Sequence, residues 1–200
     1  MNQNKWSIFR ILMVIVTVLF VIARISNIIY LLELSNMPII GNLIFPFLIQ
    51  LSFLVILIFI PNQYRFLAIL PIIYFIGANL VEFQNFMRYA NEAGFDAKFV
   101  FQITTSKVIA LSAYTTYLIL LLPNFEYKTK HAILVGFFII PSVILFLINL
   151  FINMGYFFNH NSLSFILTNL FNNFMINIGI YIIFTLYIIE HIKNKQITEL

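Results

Sequence analysis

Cysteine is absent from this chain, and charge is scarce, with 9% of its 200 residues being Asp, Glu, Lys or Arg. The lack of thiols excludes disulfides, thiolate catalysis and cysteine-based metal sites. The lack of charge is more telling. A soluble domain typically carries about 25% charged residues. This chain is 62% hydrophobic with mean hydropathy +1.00, so it lacks the polar shell that water requires, and lipid has to cover it. Aspartate occurs once, at Asp96, and histidine only at His131, His160 and His191. A multi-aspartate metal site for phosphoryl transfer therefore cannot be assembled. No HExxH, GxSxG or phosphate-loop pattern occurs. Ser106 and Lys107 invite a dyad reading, but neighbours on a helix point about 100° apart. No catalytic residue, metal ligand or cofactor is assigned, and no basic run suggests nucleic acid.

What is present is a series of long apolar runs. A membrane-crossing helix needs about 20 apolar residues. Six segments qualify: 8–32, 40–60, 66–86, 99–122, 132–153 and 164–189. Helices are the expected form, because an open sheet leaves backbone groups unpaired in lipid. The expected fold is all-α, a polytopic membrane protein forming one six-helix domain. The first span is too long for a signal-peptide core and is read as retained. Pro46, Pro71 and Pro141 fall inside spans, which predicts kinks or local openings there.

The basic residues give an orientation. Lys5, Arg10, Arg65, Lys128, Lys130, Lys193 and Lys195 all flank the spans on one side. The other side holds Arg88 and Lys98, offset by Glu92 and Asp96. The positive-inside rule then places both termini in the cytoplasm. The expected location is a bacterial cytoplasmic membrane.

With that topology, the inner span halves carry only hydroxyls: Thr17, Ser52, Ser112, Thr115, Thr116, Ser142 and Thr185. Hydroxyls can bond their own helix backbone at little cost. The outer halves carry amides and charges. Arg24 and Asn27 lie in the first span, Asn42 and Gln50 in the second, Asn79 and Glu82 in the third. Gln102 and Lys107 lie in the fourth, Asn149 and Asn153 in the fifth, and Asn169, Asn172, Asn173 and Asn177 in the sixth. A codon bias toward asparagine explains abundance but not one-sidedness. Spacings of three and four, as in Asn169, Asn173 and Asn177, gather these residues into stripes.

Two readings of the stripes stand side by side. Amides between helices can act as glue, worth about 0.6 kcal/mol each on average. Alternatively they line a water-accessible cavity. Burying Arg24, Glu82 and Lys107 costs roughly 2.5–3.5 kcal/mol each, so such residues point to function. Glu82 is expected to pair one of the two cations, with Glu33 or a ligand serving the other. The candidate ligand-binding set is Arg24, Asn27, Gln50, Asn79, Glu82, Lys107, Asn149, Asn169, Asn173 and Asn177. The expected partner is a small anionic or zwitterionic solute or a lipid headgroup, besides the bilayer itself. The competing expectation is a non-catalytic membrane subunit whose polar faces bind other helices and whose basic segments dock a cytoplasmic partner. In length, span number, terminus orientation and outer-half site, the chain resembles in outline the substrate-binding subunits of energy-coupling-factor vitamin importers. The AxxxA pattern of such subunits is missing from the first span, where Ala23 stands alone, and no residue role is carried over.

Overall fold

The computed structural model describes residues 7–34, 44–60, 62–93, 97–122, 125–160 and 163–198. Among these, every regular element is helical. The helices are α1 (Ile8–Leu34), α2 (Phe45–Phe59), α3 (Ile69–Ala93), α4 (Ala97–Leu120), α5 (Thr129–Phe137), α6 (Ile139–His160) and α7 (Leu163–Thr198). A 3₁₀ stretch, Asn62–Ala68, leads into α3. Five segments are long and apolar enough to cross a membrane: Ile8–Ile29, Tyr64–Ala90, Val100–Leu120, Thr129–Ile148 and Ile166–Asn194. The second expected span differs. Its helix α2 is apolar but has 15 residues, which at 1.5 Å per residue gives about 22 Å against a hydrocarbon core of about 30 Å. Residues 40–43, including Asn42, lie outside the described residues.

Pro46 and Pro71 sit at helix starts, whereas Pro141 lies inside the Thr129–Ile148 span and the helix opens there, as expected. Pro46 is the second residue of α2, and Pro71 and Pro141 are the third residues of α3 and α6. All three sit in first turns, where a missing N–H breaks no intrahelical bond. Pro141 cannot bond back to the Phe137 carbonyl, and the chain there splits into α5 and α6 with a turn at Phe138. The Ser142 hydroxyl donates to the Phe138 carbonyl at 2.8 Å, satisfying an acceptor at the break.

Helix α7 is the hub and packs against α1, α2, α5 and α6. Ile178, Ile180, Tyr181, Ile183, Phe184, Tyr187 and Ile188 are all buried, while Ile182, Thr185, Leu186 and Ile189 leave one partly exposed stripe. In α1 only a stripe is buried, at Met13, Phe20 and Ala23, while Ile11, Ile15, Val18, Ile22, Ile25 and Ile29 are exposed. Such an apolar face suits lipid. At Gly179 an added Cβ would lie 3.3 Å from Phe20 Cδ2. Glycine therefore allows the close approach of α7 to α1.

Basic segments far apart in sequence converge at one end. Ser7 donates to Glu190 Oε1 at 2.7 Å, and Arg10 Nε forms an ion pair with the same oxygen at 3.4 Å. Arg65 donates to the carbonyls of Phe125 at 2.8 Å and Leu122 at 3.2 Å. Its guanidinium lies 4.9 Å from the Tyr127 ring centre. Burial pushes the Tyr127 phenol pKa up against the pull of Arg65, and the neutral hydroxyl donates to the Leu120 carbonyl at 3.0 Å. These groups mark the basic end of the bundle, and the opposite end is its far end.

Candidate functional site

A cavity of about 530 Å³ opens between the far halves of α1, α2, α3, α4, α6 and α7. Helical period explains how each element contributes. Helix α4 presents Gln102, Ser106, Ala110 and Tyr114, four residues apart, with Lys107 beside them. Helix α3 presents Phe75, Ala78, Asn79 and Glu82, and α7 presents Leu170, Asn173, Asn177 and Tyr181. Each set is one face of a helix. Arg24 enters from α1 and Gln50 from α2.

The charges are arranged unequally. Lys107 Nζ forms an ion pair with Glu82 Oε2 and lies 3.3 Å from Asn79 Oδ1. The Asn79 amide donates in turn to the Phe75 carbonyl at 2.8 Å. Arg24 has no carboxylate within ion-pair distance among the described residues, and its Nε is buried without a hydrogen-bond partner. The guanidinium lies 5.7 Å from the Phe20 ring centre, a contact that offsets part of its desolvation. The expectation that one anion serves one of two cations thus resolves in favour of Lys107. The side chain of Glu33 lies outside the described residues.

Two neutral groups are also incompletely bonded. Gln50 Oε1 and Gln102 Nε2 are buried with no partner, and both residues line the cavity. Unsatisfied buried polar atoms are rare in native proteins and call for an explanation. Toward the basic end the cavity stops at packed rings. Tyr114 meets Tyr117 edge-on at 6.1 Å, and Tyr117 stacks on Phe184 at 4.0 Å.

Of the sequence-derived set, Arg24, Gln50, Asn79, Glu82, Lys107, Asn173 and Asn177 line this one cavity. Asn27 is partly exposed and is not among its lining residues. The side chains of Asn149 and Asn169 lie outside the described residues, although Leu150 and Leu170 beside them line the cavity. Asn172 has a different role. Its amide is buried and donates to Ser26 on α1 at 3.0 Å, so it is glue between α1 and α7. Asn177 donates to the Asn173 carbonyl at 2.7 Å.

The candidate ligand-binding set omitted Gln102, Ser106, Tyr114, Ser142 and Tyr181, although Gln102 stood among the outer-half amides. For α4 a signal existed, since Gln102, Ser106 and Tyr114 share the same four-residue spacing as the asparagines. Ser142 carried none. It belongs to an inner-half set of hydroxyls, and only the break before α6 places it at the cavity. Among the described residues, no group of three His, Asp or Glu side chains is arranged to hold a metal ion.

No known protein family matches the chain, and neither a curated protein nor a solved structure matches it.

Proposed function

We propose that this protein is an integral membrane protein whose far-end cavity opens to the outside and binds a small anionic or zwitterionic solute or a lipid headgroup, as a step of transport. The observation that carries this reading is the convergence of Arg24, Lys107 and Glu82, from three helices, on one cavity of about 530 Å³. Small-molecule sites commonly enclose about 300–1,000 Å³. Charged groups inside a membrane bundle are expensive and rarely persist without a task. An outer half used only for helix contacts would be filled, and this one holds a cavity instead.

In this reading α2 completes a sixth span and the basic end faces the cytoplasm. The exposed Lys128, Lys130 and Lys193 suit anionic headgroups of the inner leaflet. The rings of Tyr117 and Phe184 lie between the cavity and the basic end, which favours access from the outside.

The natural absence of cysteine makes the test direct. Single variants Asn79→Cys, Asn173→Cys, Phe184→Cys and Lys128→Cys are exposed to a membrane-impermeant thiol reagent in intact cells. Labelling at positions 79 and 173, protection at 184, and labelling at 128 only after permeabilisation are expected. Labelling of Lys128→Cys in intact cells with Asn173→Cys protected would overturn the reading.

A further inference from the structure

The charge count, the walls of the cavity and its unpartnered atoms restrict what can occupy it. Lys107 is already held by Glu82 and Asn79. Among the described residues, Arg24 is then the cavity cation with no carboxylate at ion-pair distance. A monoanion balances it, whereas the second charge of a dianion meets no free cation there and is repelled by the Glu82 carboxylate. A guanidinium is a planar fork whose N–H groups match the two oxygens of a carboxylate.

The cavity is also graded along the helices. Asn79, Lys107, Glu82, Asn173 and Asn177 line it toward the far end. Nearer the basic end of the same helices is a connected run of rings: Tyr74 meets Phe75 at 6.0 Å, and Phe75 meets Tyr114 at 5.2 Å. These three rings and Tyr181 all line the cavity. A flat unsaturated body gains stacking and edge contacts against such a wall that a compact ion does not. Finally, Gln50 Oε1 needs a donor and Gln102 Nε2 needs an acceptor.

We infer that the ligand class is a planar aromatic or heterocyclic monocarboxylate, its carboxylate on Arg24 and its ring against Tyr74, Phe75 and Tyr114. A ring bearing an N–H or O–H group also meets the open acceptor on Gln50. This rests on the open-cavity reading above and narrows it from any small anion or headgroup to one chemical class.

The test is calorimetric titration of the full chain in nanodiscs of neutral lipid at pH 7. Five probes separate the terms: indole-3-acetate, its saturated counterpart cyclohexylacetate, the neutral tryptophol, the dianion phthalate and the headgroup-like dimethyl phosphate. Indole-3-acetate is expected to bind at least about tenfold more tightly than each of the others, a difference of about 1.4 kcal/mol. Arg24→Gln is expected to reduce it to the level of tryptophol. Arg24→Lys, which keeps the charge and loses the fork, is expected to fall between the two. An unchanged elution profile on size exclusion shows that each variant is folded.

Equal binding of cyclohexylacetate or dimethyl phosphate would overturn the aromatic class and leave the cavity reading standing. Dimethyl phosphate binding most tightly of all would point to a lipid headgroup. Equal binding of phthalate would overturn the charge count. Failure of every probe, with Asn173→Cys still labelled from outside, would reject the ligand class alone. Failure of both would reject the cavity as well.

Discussion

The two ends of this bundle solve the problem of buried polarity in opposite ways. At the basic end, Glu190 is 3% exposed, yet it accepts from Ser7 and is paired with Arg10. Around it, Tyr117, Phe184, Tyr187, His191 and Tyr127 form a continuous ring cluster. At the far end, a cavity separates the helices, Arg24 lacks a counter-ion among the described residues, and two glutamines carry unpartnered buried atoms. One end uses its polar groups to close the structure. The other keeps them available. Buried polar atoms without a partner occur at both ends, at Tyr117 and Tyr187 as well as at Gln50 and Gln102. What sets the far end apart is that Arg24, Gln50 and Gln102 line a cavity.

Breaking the packed end gives the largest expected effect. Phe184→Ala removes a fully buried ring stacked on Tyr117 at 4.0 Å and on Phe53 at 6.2 Å. Between helices in lipid the loss is mainly dispersion and cavity formation, so destabilisation of about 3 kcal/mol is expected. Thermal unfolding of the purified protein in detergent measures it. Glu190→Gln comes next, at about 2 kcal/mol, because Arg10 and its partly buried surroundings lose their counter-charge. Raised salt should narrow the difference from the unmodified protein only slightly, because the carboxylate side chain is 4% exposed.

Two glycines sharpen the comparison at smaller scale. Gly179→Ala places a methyl 3.3 Å from Phe20 Cδ2 and is expected to cost about 1 kcal/mol by forcing α1 from α7. Gly77 has nothing within 4 Å of an added Cβ, so Gly77→Ala should stabilise α3 by about 0.5–1 kcal/mol. The paired melting shifts should have opposite signs. Smallest of all is Lys107→Gln. Its partner Glu82 is 63% exposed, and such pairs contribute about 0–1 kcal/mol. The unfolding temperature should barely move, while binding of anions changes because Glu82 is freed to repel them. A large loss of stability here would mean that the far end is as structural as the basic end.

Composition and periodicity were enough to assign helices and, for five of the six expected spans, membrane-crossing length. These follow from the 3.6-residue repeat and the cost of bare backbone in lipid, both local properties. The convergence of Arg24, Gln50, Asn79, Glu82, Lys107, Asn173 and Asn177 was legible for the same reason. Local reasoning stopped at partner choice. Asn172 and Asn173 are neighbours of identical chemistry, yet about 100° of helical rotation turns one onto Ser26 and the other onto the cavity. Which cation Glu82 would take, which hydroxyl would reach the cavity and where the prolines would fall relative to helix starts were decided by packing. Those outcomes depend on the rotation and offset of one helix against another, and a repeat along a single helix does not specify either.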